Sequence, residues 1–256
     1  MCGIVGFTGR ENALPILIKG LYSLEYRGYD SAGIAAFTKE GLRVVKTRGR
    51  IANLEEKIRE VGCDMECTCG IGHTRWATHG EPSDRNSHPH LGGKGKVAVV
   101  HNGIIENYKE LRERLEAHGY EFKSETDTET VAHLVDYLHT GKQEDLAKTV
   151  LAAVQRLRGS YALGVVSMDN TQEIVAARRG NPLVIGIGEG ENMIASDITA
   201  IISRTRKFII LDDNEVAIVR PDEVIVMNEF GDKVEKEVQT VNWDMSAAEK
   251  GGYQHF

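Results

Sequence analysis

The pattern of apolar and polar residues changes period along the chain, and each change marks a different kind of element. Strand-like runs and amphipathic helices alternate at first, further helices follow, and a long β-rich region comes last. The predicted strands are Gly3–Thr8, Ala32–Phe37, Leu42–Thr47, Thr68–Thr74, Lys96–His101, Tyr161–Ser167, Glu173–Ala177, Leu183–Ile187, Phe208–Leu211, Glu215–Val219, Glu223–Met227 and Lys233–Gln239. The predicted helices are Asn12–Tyr26, Asn53–Val61, Glu106–His118, Asp127–His139, Glu144–Leu157 and a short piece at Asp197–Ser203.

The order of these elements differs from the strict strand–helix alternation that builds a parallel sheet. It predicts an α+β fold with layered, largely antiparallel sheets. Glycine is abundant, with 27 residues against 5 prolines, which is typical of a sheet-rich fold with many tight turns. One domain is expected over residues 2–240, and the composition of residues 241–256, with a Gly-Gly pair, indicates the start of a linker.

Charge and composition exclude several classes of protein. There are 31 Lys and Arg residues against 38 Asp and Glu, a formal net charge of −7, whereas nucleic-acid binding needs a basic surface. No apolar run approaches the ~20 residues of a membrane-spanning helix, and the N-terminus lacks the pattern of a secretory signal. Four cysteines in 256 residues do not make a disulfide framework. A cytoplasmic location is therefore expected.

Cys2 could take part in unusual chemistry because of its position. A small residue after the initiator methionine allows that methionine to be removed, which would leave Cys2 at the N-terminus. Its thiol would then lie beside its own α-amine, and a neutral amine can accept the thiol proton and later return it to a leaving group. One residue would thus supply both nucleophile and base. The alternative is an incidental cysteine after the start codon.

Two polar motifs next to predicted strands offer groups that bind a ligand. In the loop at 72–83, the planar guanidinium of Arg75 suits a carboxylate and Trp76 can cover a small ligand. The alternative is an ordinary surface loop. At Asn102-Gly103, a side-chain amide and a backbone N–H can aim two donors at a developing oxyanion. The alternative is a hairpin turn, because Asn-Gly between apolar runs is a strong hairpin signal.

Two further segments carry charge near the ends of predicted helices. Asp127, in the motif at 124–129, suits an ammonium group, and the alternative is a helix start with a capping acid. Arg27 and Asp30 crowd a turn that follows a helix.

Taken together, the thiol with its amine base, the oxyanion donors, the carboxylate clamp and the ammonium clamp fit an amino acid whose side chain carries an acyl group, such as glutamine.

The sequence resembles the glutaminase domains of the class II glutamine amidotransferases, within the N-terminal nucleophile hydrolase superfamily. The N-terminal cysteine, Asn-Gly and the paired clamp residues are shared by several of these enzymes. EYRGYDSAG together with HTRWATHGEP is more particular to the glucosamine-6-phosphate synthase branch. The matching segments are CGIVGF, LEYRGYDSAG, HTRWATHGEP, HPH, HNGIIEN, SETDTE, LRGSYA, NPLVIG and ASD.

The resemblance implies a four-layer αββα sandwich of two antiparallel sheets between helical layers. It implies that Cys2 attacks the glutamine amide and forms a γ-glutamyl thioester, with Asn102 and the Gly103 N–H as the oxyanion hole. Arg75 would hold the substrate carboxylate, and Asp127 its α-ammonium group. The further roles that the resemblance implies are pocket lining by Thr78 and His79, support of the cysteine by Arg27, gating of ammonia by Trp76 and organisation of the site by His88.

In this branch the ammonia serves the synthesis of glucosamine 6-phosphate from fructose 6-phosphate on a C-terminal sugar-phosphate isomerase region. The resemblance therefore implies two partners, L-glutamine and that region, in an enzyme that is a homodimer at full length. No cofactor, nucleic acid or membrane partner is indicated. A zinc site at Cys63, Cys67, Cys69 and His73 has poor ligand spacing, so no metal is expected. Incidental thiols are the favoured interpretation, and a redox pair is the alternative.

Two other functions stay open at the level of the sequence. One is a different amidotransferase, such as the glutaminase part of a purine-pathway phosphoribosyl amidotransferase or of an asparagine synthetase, although LEYRGYDSAG argues against it. The other is a regulatory module that binds glutamine without turnover. The complete set of nucleophile and oxyanion donors argues against that module.

Overall fold

The computed structural model describes residues 2–61, 67–77, 80–139 and 146–242. Its helices are α1 (Ala13–Leu24), α2 (Ile51–Glu60), α3 (Tyr108–Ala117), α4 (Asp127–Leu138) and α5 (Leu146–Val154), with 3-10 turns at Glu25–Arg27 and Ile198–Ala200. Its strands are β1 (Gly3–Thr8), β2 (Ser31–Thr38), β3 (Gly41–Arg48), β4 (Cys69–Arg75), β5 (His90–Leu91), β6 (Val97–Ile105), β7 (Gly159–Ser167), β8 (Asn170–Arg179), β9 (Val184–Ile187), β10 (Asn192–Ala195), β11 (Lys207–Ile210), β12 (Val216–Arg220), β13 (Glu223–Met227), β14 (Lys233–Val234) and β15 (Gln239–Thr240). Across the ranges given above, every helix is too short or too polar to span a bilayer.

The strands within these ranges form two antiparallel sheets. The first has eight strands in the order β15-β11-β9-β10-β1-β4-β2-β3, and the second has seven in the order β14-β13-β12-β8-β7-β6-β5. In the first sheet, β1 lies between β10 and β4. In the second, β6 pairs with β7 along its whole length, from Val97 to Ile105. The chain segments that carry Cys2 and Asn102 therefore belong to opposite sheets.

Hydrophobic clusters of the described residues separate four layers. One cluster packs α1 and α2 against the outer face of the first sheet and includes Leu17 and Leu21. Another packs α3, α4 and α5 against the outer face of the second sheet and includes Val131 and Val150. A third lies between the two sheets and includes Ile71. This arrangement confirms the predicted α+β sandwich with helices outside two antiparallel sheets.

The alternation of residues along β4 places polar chemistry between the sheets. Gly70 and Gly72 face α1, and a Cβ at Gly72 would lie 3.1 Å from Leu21 Cδ1, so the glycines let the helix approach closely. Successive side chains of a strand point to opposite faces. Ile71 and His73 therefore point toward the second sheet, where His73 contacts β6.

The structure corrects the predicted course of several strands. The Asn102-Gly103 pair lies inside β6, opposite Ala162 and Tyr161 of β7, so the hairpin-turn alternative is wrong. The strand β10 was not predicted, because its sequence NMIA has one β-branched residue beside Met and Ala, which favour helices. The predicted strand Lys233–Gln239 is instead two short strands, of which β14 joins the second sheet and β15 the first.

Candidate active site

A pocket of about 310 Å³ lies where the ends of β4 and β6 meet the start of α4. Its lining includes every predicted site residue that the structure describes, namely Cys2, Arg27, Arg75, Trp76, His88, Asn102, Gly103 and Asp127. Thr78 and His79 lie outside the described residues. Residues far apart in the sequence thus converge here, while their individual roles stay predictions.

Cys2 directly precedes β1, and its thiol contacts the backbone of Trp76. The sulfur accepts a hydrogen bond from the Trp76 N–H at 3.2 Å and lies 3.5 Å from the Trp76 carbonyl oxygen. Burial raises the pKa of the thiol, although the Trp76 N–H and the charge of Arg75 act in the opposite direction. The thiol is therefore mainly protonated at neutral pH, and a reaction through it needs a base.

Asn102 and Gly103 form the part of the pocket that comes from the second sheet. The Asn102 side chain is buried, and its Nδ2 donates to the carbonyl oxygen of Cys2 at 3.0 Å. Gly103 has a φ of +133°, and a Cβ at this position would lie 2.1 Å from the Ser160 carbonyl oxygen. The backbone conformation and the close approach of β7 both require glycine here.

The pocket is lined by one cationic side chain, Arg75, and one anionic side chain, Asp127. Arg75 ends β4, is buried, and its Nη2 donates to the Gly80 carbonyl oxygen at 3.0 Å. Burial lowers the pKa of Arg75, and the charges of Asp30, Cys2 and Asp127 oppose this shift. A guanidinium stays protonated at physiological pH. A zwitterionic ligand such as an amino acid therefore finds complementary charge in the pocket.

Asp127 is held rigidly at the start of α4. Its Oδ2 accepts from the Ile105 N–H at 2.8 Å, which ties the helix start to the end of β6. The capping role predicted as an alternative for Asp127 belongs to Thr126, whose Oγ1 accepts from the Glu129 N–H at 3.3 Å. The Asp127 carboxylate is thereby directed to the pocket rather than used to cap its own helix.

Arg27 is held by an ion pair with Asp197, a residue to which the sequence assigned no role. Arg27 Nη1 and the Tyr26 hydroxyl donate to Asp197 Oδ2 at 2.8 Å and 3.1 Å. Burial raises the pKa of Asp197, but the bonds from Thr199 and Tyr26 and the charge of Arg27 lower it overall. Asp197 is thus ionised at neutral pH and fixes Arg27 at the pocket wall.

Trp76 is the most open of these side chains. It is 47% exposed, and its ring makes an edge-to-face contact with Tyr29 at a centroid distance of 5.3 Å. The neighbouring backbone is well held, because Ala77 N–H donates to Asp30 Oδ2 and Asp30 N–H donates to the Arg75 carbonyl oxygen at 3.2 Å. The indole therefore lies at the pocket mouth on an ordered backbone.

A group of buried histidines lies at the back of the pocket, where His88, the one member predicted as a site residue, belongs to the lining. The ring of His88 lies 4.2 Å from that of His73 and 5.0 Å from that of His90. Burial lowers the pKa of His73 to about 3 and that of His88 well below its usual value, so both are neutral. His73 was not predicted to serve the site, although its place two residues before Arg75 puts it on the same strand face.

The other cysteines lie away from this pocket where they are described. Cys63 lies outside the described residues. Cys67 and Cys69 are free and buried, and burial raises the pKa of Cys69 to about 12. Among the residues described, no group of three His, Cys, Asp or Glu side chains has a metal-binding arrangement.

Sequence comparison identifies the family of this chain. The family model for the glutamine amidotransferase domain matches residues 73–203, and the chain belongs to this family. Glutamine–fructose-6-phosphate aminotransferases (isomerizing) from Clostridium tetani and Caldanaerobacter subterraneus are 52% and 54% identical to it over 256 residues. In both comparisons the match covers 100% of this chain and 41% of the relative, so the chain spans less than half the length of these proteins.

Solved structures with lower sequence identity to this chain have a similar fold. The glutamine phosphoribosylpyrophosphate amidotransferase from B. subtilis, complexed with ADP and GMP, superimposes with a TM-score of 0.74 at 27% identity. A structure described as the allosteric regulatory enzyme of purine biosynthesis gives 0.76 at 28%. Each match covers 89% of this chain and 49% of the other. These similarities confirm the predicted N-terminal nucleophile hydrolase fold.

Proposed function

We propose that this domain hydrolyses L-glutamine to L-glutamate and ammonia through Cys2. The observation that carries the proposal is that Cys2, Asn102, Arg75 and Asp127 line one pocket, in which the Asn102 amide donates to the backbone carbonyl oxygen of Cys2. The pocket is small enough for one amino acid, and its charges match the two charged groups of the glutamine backbone. The family of the chain supports the same substrate.

Recognition of glutamine is assigned to the two charged residues. The Arg75 guanidinium binds the α-carboxylate in a planar, charge-assisted arrangement. The α-ammonium group pairs with Asp127, whose Oδ2 is engaged by Ile105, so Oδ1 is the oxygen that faces the ligand. Held at that end, the side-chain amide of glutamine extends toward Cys2. Thr78 and His79 keep their predicted place in the pocket lining.

The first chemical step requires a proton to leave the Cys2 thiol. Burial raises the pKa of that thiol, so an adjacent base is needed. The α-amine of Cys2, exposed when the initiator methionine is removed, has an ordinary pKa of about 7.7–8.0 and is the base we assign. It accepts the proton as the sulfur attacks the amide carbon of glutamine, and it returns the proton as the C–N bond breaks and ammonia leaves.

The negative charge of the tetrahedral intermediate develops on the former amide oxygen. The Asn102 Nδ2 carries two N–H groups, one of which donates to Cys2 O, and we assign the second to this oxygen together with the Gly103 N–H. Water then hydrolyses the γ-glutamyl thioester, which releases glutamate and restores the thiol. No step in this sequence needs a cofactor.

The fate of the ammonia is proposed from the relatives. By analogy with the aminotransferases that match along the whole chain, we propose that it serves the synthesis of glucosamine 6-phosphate from fructose 6-phosphate on a C-terminal sugar-phosphate isomerase region. Trp76, at the pocket mouth, is assigned to the gating of ammonia on that route. A cytoplasmic homodimer and a domain boundary near residue 240 remain predictions of this proposal.

The test is a parallel assay of glutamate and ammonia release from glutamine. Cys2→Ala is expected to lower the rate by on the order of 10⁴-fold or more, because the nucleophile is removed. Cys67→Ala, which also removes a buried thiol, is the matched control and is expected to keep full activity. Glutamine binding without release of glutamate would instead favour a regulatory module. Activity that persists in Cys2→Ala would refute the proposed nucleophile.

A further inference from the structure

His73 connects the two sheets directly behind the pocket. It lies on β4 in the first sheet, is fully buried, and reaches β6 in the second sheet. Its Nε2 is 3.0 Å from the His101 carbonyl oxygen and 3.0 Å from Asn102 Oδ1. This imidazole nitrogen is therefore in contact with the same side chain that offers a donor to Cys2.

The chemistry of these atoms fixes both the tautomer and the amide orientation. Burial lowers the pKa of His73 to about 3; the bonds to Asn102 and His101 oppose this, and the charges of His101 and Arg75 add to it. The ring is neutral and carries one N–H, which must be on Nε2 because that nitrogen faces a carbonyl oxygen. An N–H on Nε2 in turn requires that Asn102 present its oxygen to His73.

The opposite orientation of the amide is excluded at both ends. If Asn102 were rotated by half a turn, its oxygen would face the Cys2 carbonyl oxygen and its NH₂ would face the His73 donor. Both contacts would then be repulsive, whereas the observed arrangement makes hydrogen bonds of 3.0 Å at each end. His73 therefore supplies one of the two bonds that distinguish the ends of the Asn102 amide, and the Cys2 carbonyl oxygen accepts the other.

We infer that His73 is a positioning residue for the oxyanion hole, holding the Asn102 amide so that its nitrogen faces the reacting carbonyl. This inference rests on the proposed glutaminase function. Without the His73 N–H, the amide rotates and presents an oxygen to the developing negative charge in a fraction of the molecules. Since the loss of one oxyanion donor costs roughly 10²–10³-fold in kcat, removal of His73 is expected to cost up to that amount and no more.

The test is a double-mutant cycle on glutamine hydrolysis by the full chain. His73→Leu removes the donor, and Asn102→Ala removes the amide that it orients. Each is expected to lower kcat by about 10²-fold with a change in KM of less than about 3-fold. The double variant is expected to be no slower than Asn102→Ala, because His73 acts through that side chain. His73→Gln, whose amide nitrogen can replace the imidazole donor, is expected to recover most of the activity.

A second readout separates orientation of the amide from general damage to the fold. Alkylation of Cys2 by iodoacetamide proceeds by displacement at a saturated carbon and forms no oxyanion. Its rate, measured by mass spectrometry of the Cys2 peptide, is expected to stay within about 2-fold of wild type in His73→Leu. A parallel fall in alkylation and glutamine turnover would indicate a structural role and would overturn the inference.

A measurement on the wild-type protein keeps the inference testable if His73→Leu does not fold. Nitrogen-15 spectra of labelled histidine report the tautomer of each ring, and His73 is expected to be a neutral Nε2–H form from pH 5 to pH 9. A ring protonated on Nδ1, or one that titrates in this range, contradicts the inference. If the losses in kcat of the two single variants multiply in the double variant, that result also contradicts the inference. If wild type releases no glutamate, the proposed function fails first, and the two failures are thereby distinguished.

Discussion

The floor and the rim of the pocket are built in different ways. We define the floor as Asn102, Gly103 and Asp127 together with His73 directly behind them, and the rim as residues 27–30 with Trp76 and Ala77. The side chains of His73, Asn102 and Asp127 are buried. His73 bonds to Asn102 across the two sheets, and Asp127 accepts from the backbone N–H of Ile105 at the end of β6. Rim side chains such as Tyr29 and Trp76 are about half exposed, and the rim reaches the nucleophile through the backbone N–H of Trp76.

Because of this difference, substitutions are expected to act differently in the two regions. At the floor, function depends on side-chain donors and on a glycine that no other residue replaces. At the rim, function depends on where the backbone runs, because Gly28 packs against the Arg75 and Trp76 backbone and Asp30 bonds to it. Changes to exposed rim side chains are therefore expected to be mild, and changes that move the rim backbone are not.

The largest effect is expected for Gly103→Ala in the floor. The added Cβ would lie 2.1 Å from Ser160 O, at a φ of +133° that alanine avoids. We expect a loss of about 4 kcal/mol or more in the free energy of unfolding and of at least about 10³-fold in kcat. Gly95→Ala is the control, since its φ is +71° with open space around it. It is expected to cost about 1 kcal/mol and no activity. Equal losses in the two variants would contradict the requirement for glycine at position 103.

A smaller loss is expected when the rim backbone is displaced by Gly28→Ala. The new Cβ would lie 2.7 Å from the Arg75 carbonyl carbon and 3.0 Å from Trp76 N. We expect the Trp76 N–H to move away from Cys2 Sγ, with a loss of about 10-fold to 10²-fold in kcat. Steady-state kinetics with glutamine would measure it. Wild-type kinetics in this variant would show that the rim backbone does not position Cys2.

Asp197→Asn is expected to have a milder effect, because it weakens the anchor of Arg27 from outside the pocket. The asparagine keeps the bond to Thr199 N–H but loses the charge that pairs with Arg27, which is expected to lower stability by about 1 kcal/mol. Because the folded-state pKa of Asp197 is depressed, this stabilisation is present above the ordinary aspartate pKa and is lost as the pH falls through the depressed value.

Denaturant unfolding of wild type and Asp197→Asn at several pH values tests this sign. The difference between them is expected to be full at neutral pH and to vanish in strong acid. Asp222→Asn is the matched control, because Asp222 pairs with Arg10 at 3.2 Å on side chains that are 68% and 77% exposed. It is expected to change nothing measurable. A difference that grows as the pH falls would contradict the account.

The smallest effect is expected for Trp76→Ala. The indole is 47% exposed, and Cys2 contacts the backbone of this residue rather than its ring. We expect glutamine hydrolysis by this domain to change by less than about 3-fold and the stability by less than about 0.5 kcal/mol. A loss as large as that of Gly28→Ala would place catalytic importance in the rim side chain and would remove the contrast between floor and rim.

The sequence predicted most of the fold because its strands and helices have clear periods. It misjudged β6, where the local Asn-Gly signal for a turn is overridden by pairing of Gly103 with Tyr161 of β7. It also predicted one strand over residues 233–239, because the strand-like pattern is continuous there, although β14 and β15 lie in different sheets. Tertiary pairing decided both cases, and no local pattern records it.

The same limit applies to the site. Cys2, Arg75, Asn102 and Asp127 carry reactive or charged groups in distinctive motifs, so the sequence points to them directly. His73 contributes one N–H to a neighbour on the opposite sheet, and Asp197 contributes a charge to Arg27. Their importance depends on contacts between residues that are distant in the sequence, and it becomes visible when the two sheets are in place.

The central claim, that Cys2 forms a γ-glutamyl thioester with its α-amine free, is tested most directly by mass spectrometry of acid-quenched turnover. Wild-type protein mixed with glutamine and quenched within one turnover is expected to carry one γ-glutamyl group on a peptide that begins at Cys2. Cys2→Ala is expected to carry none. A modified peptide that retains Met1, or glutamate release without any adduct on Cys2, would contradict the account.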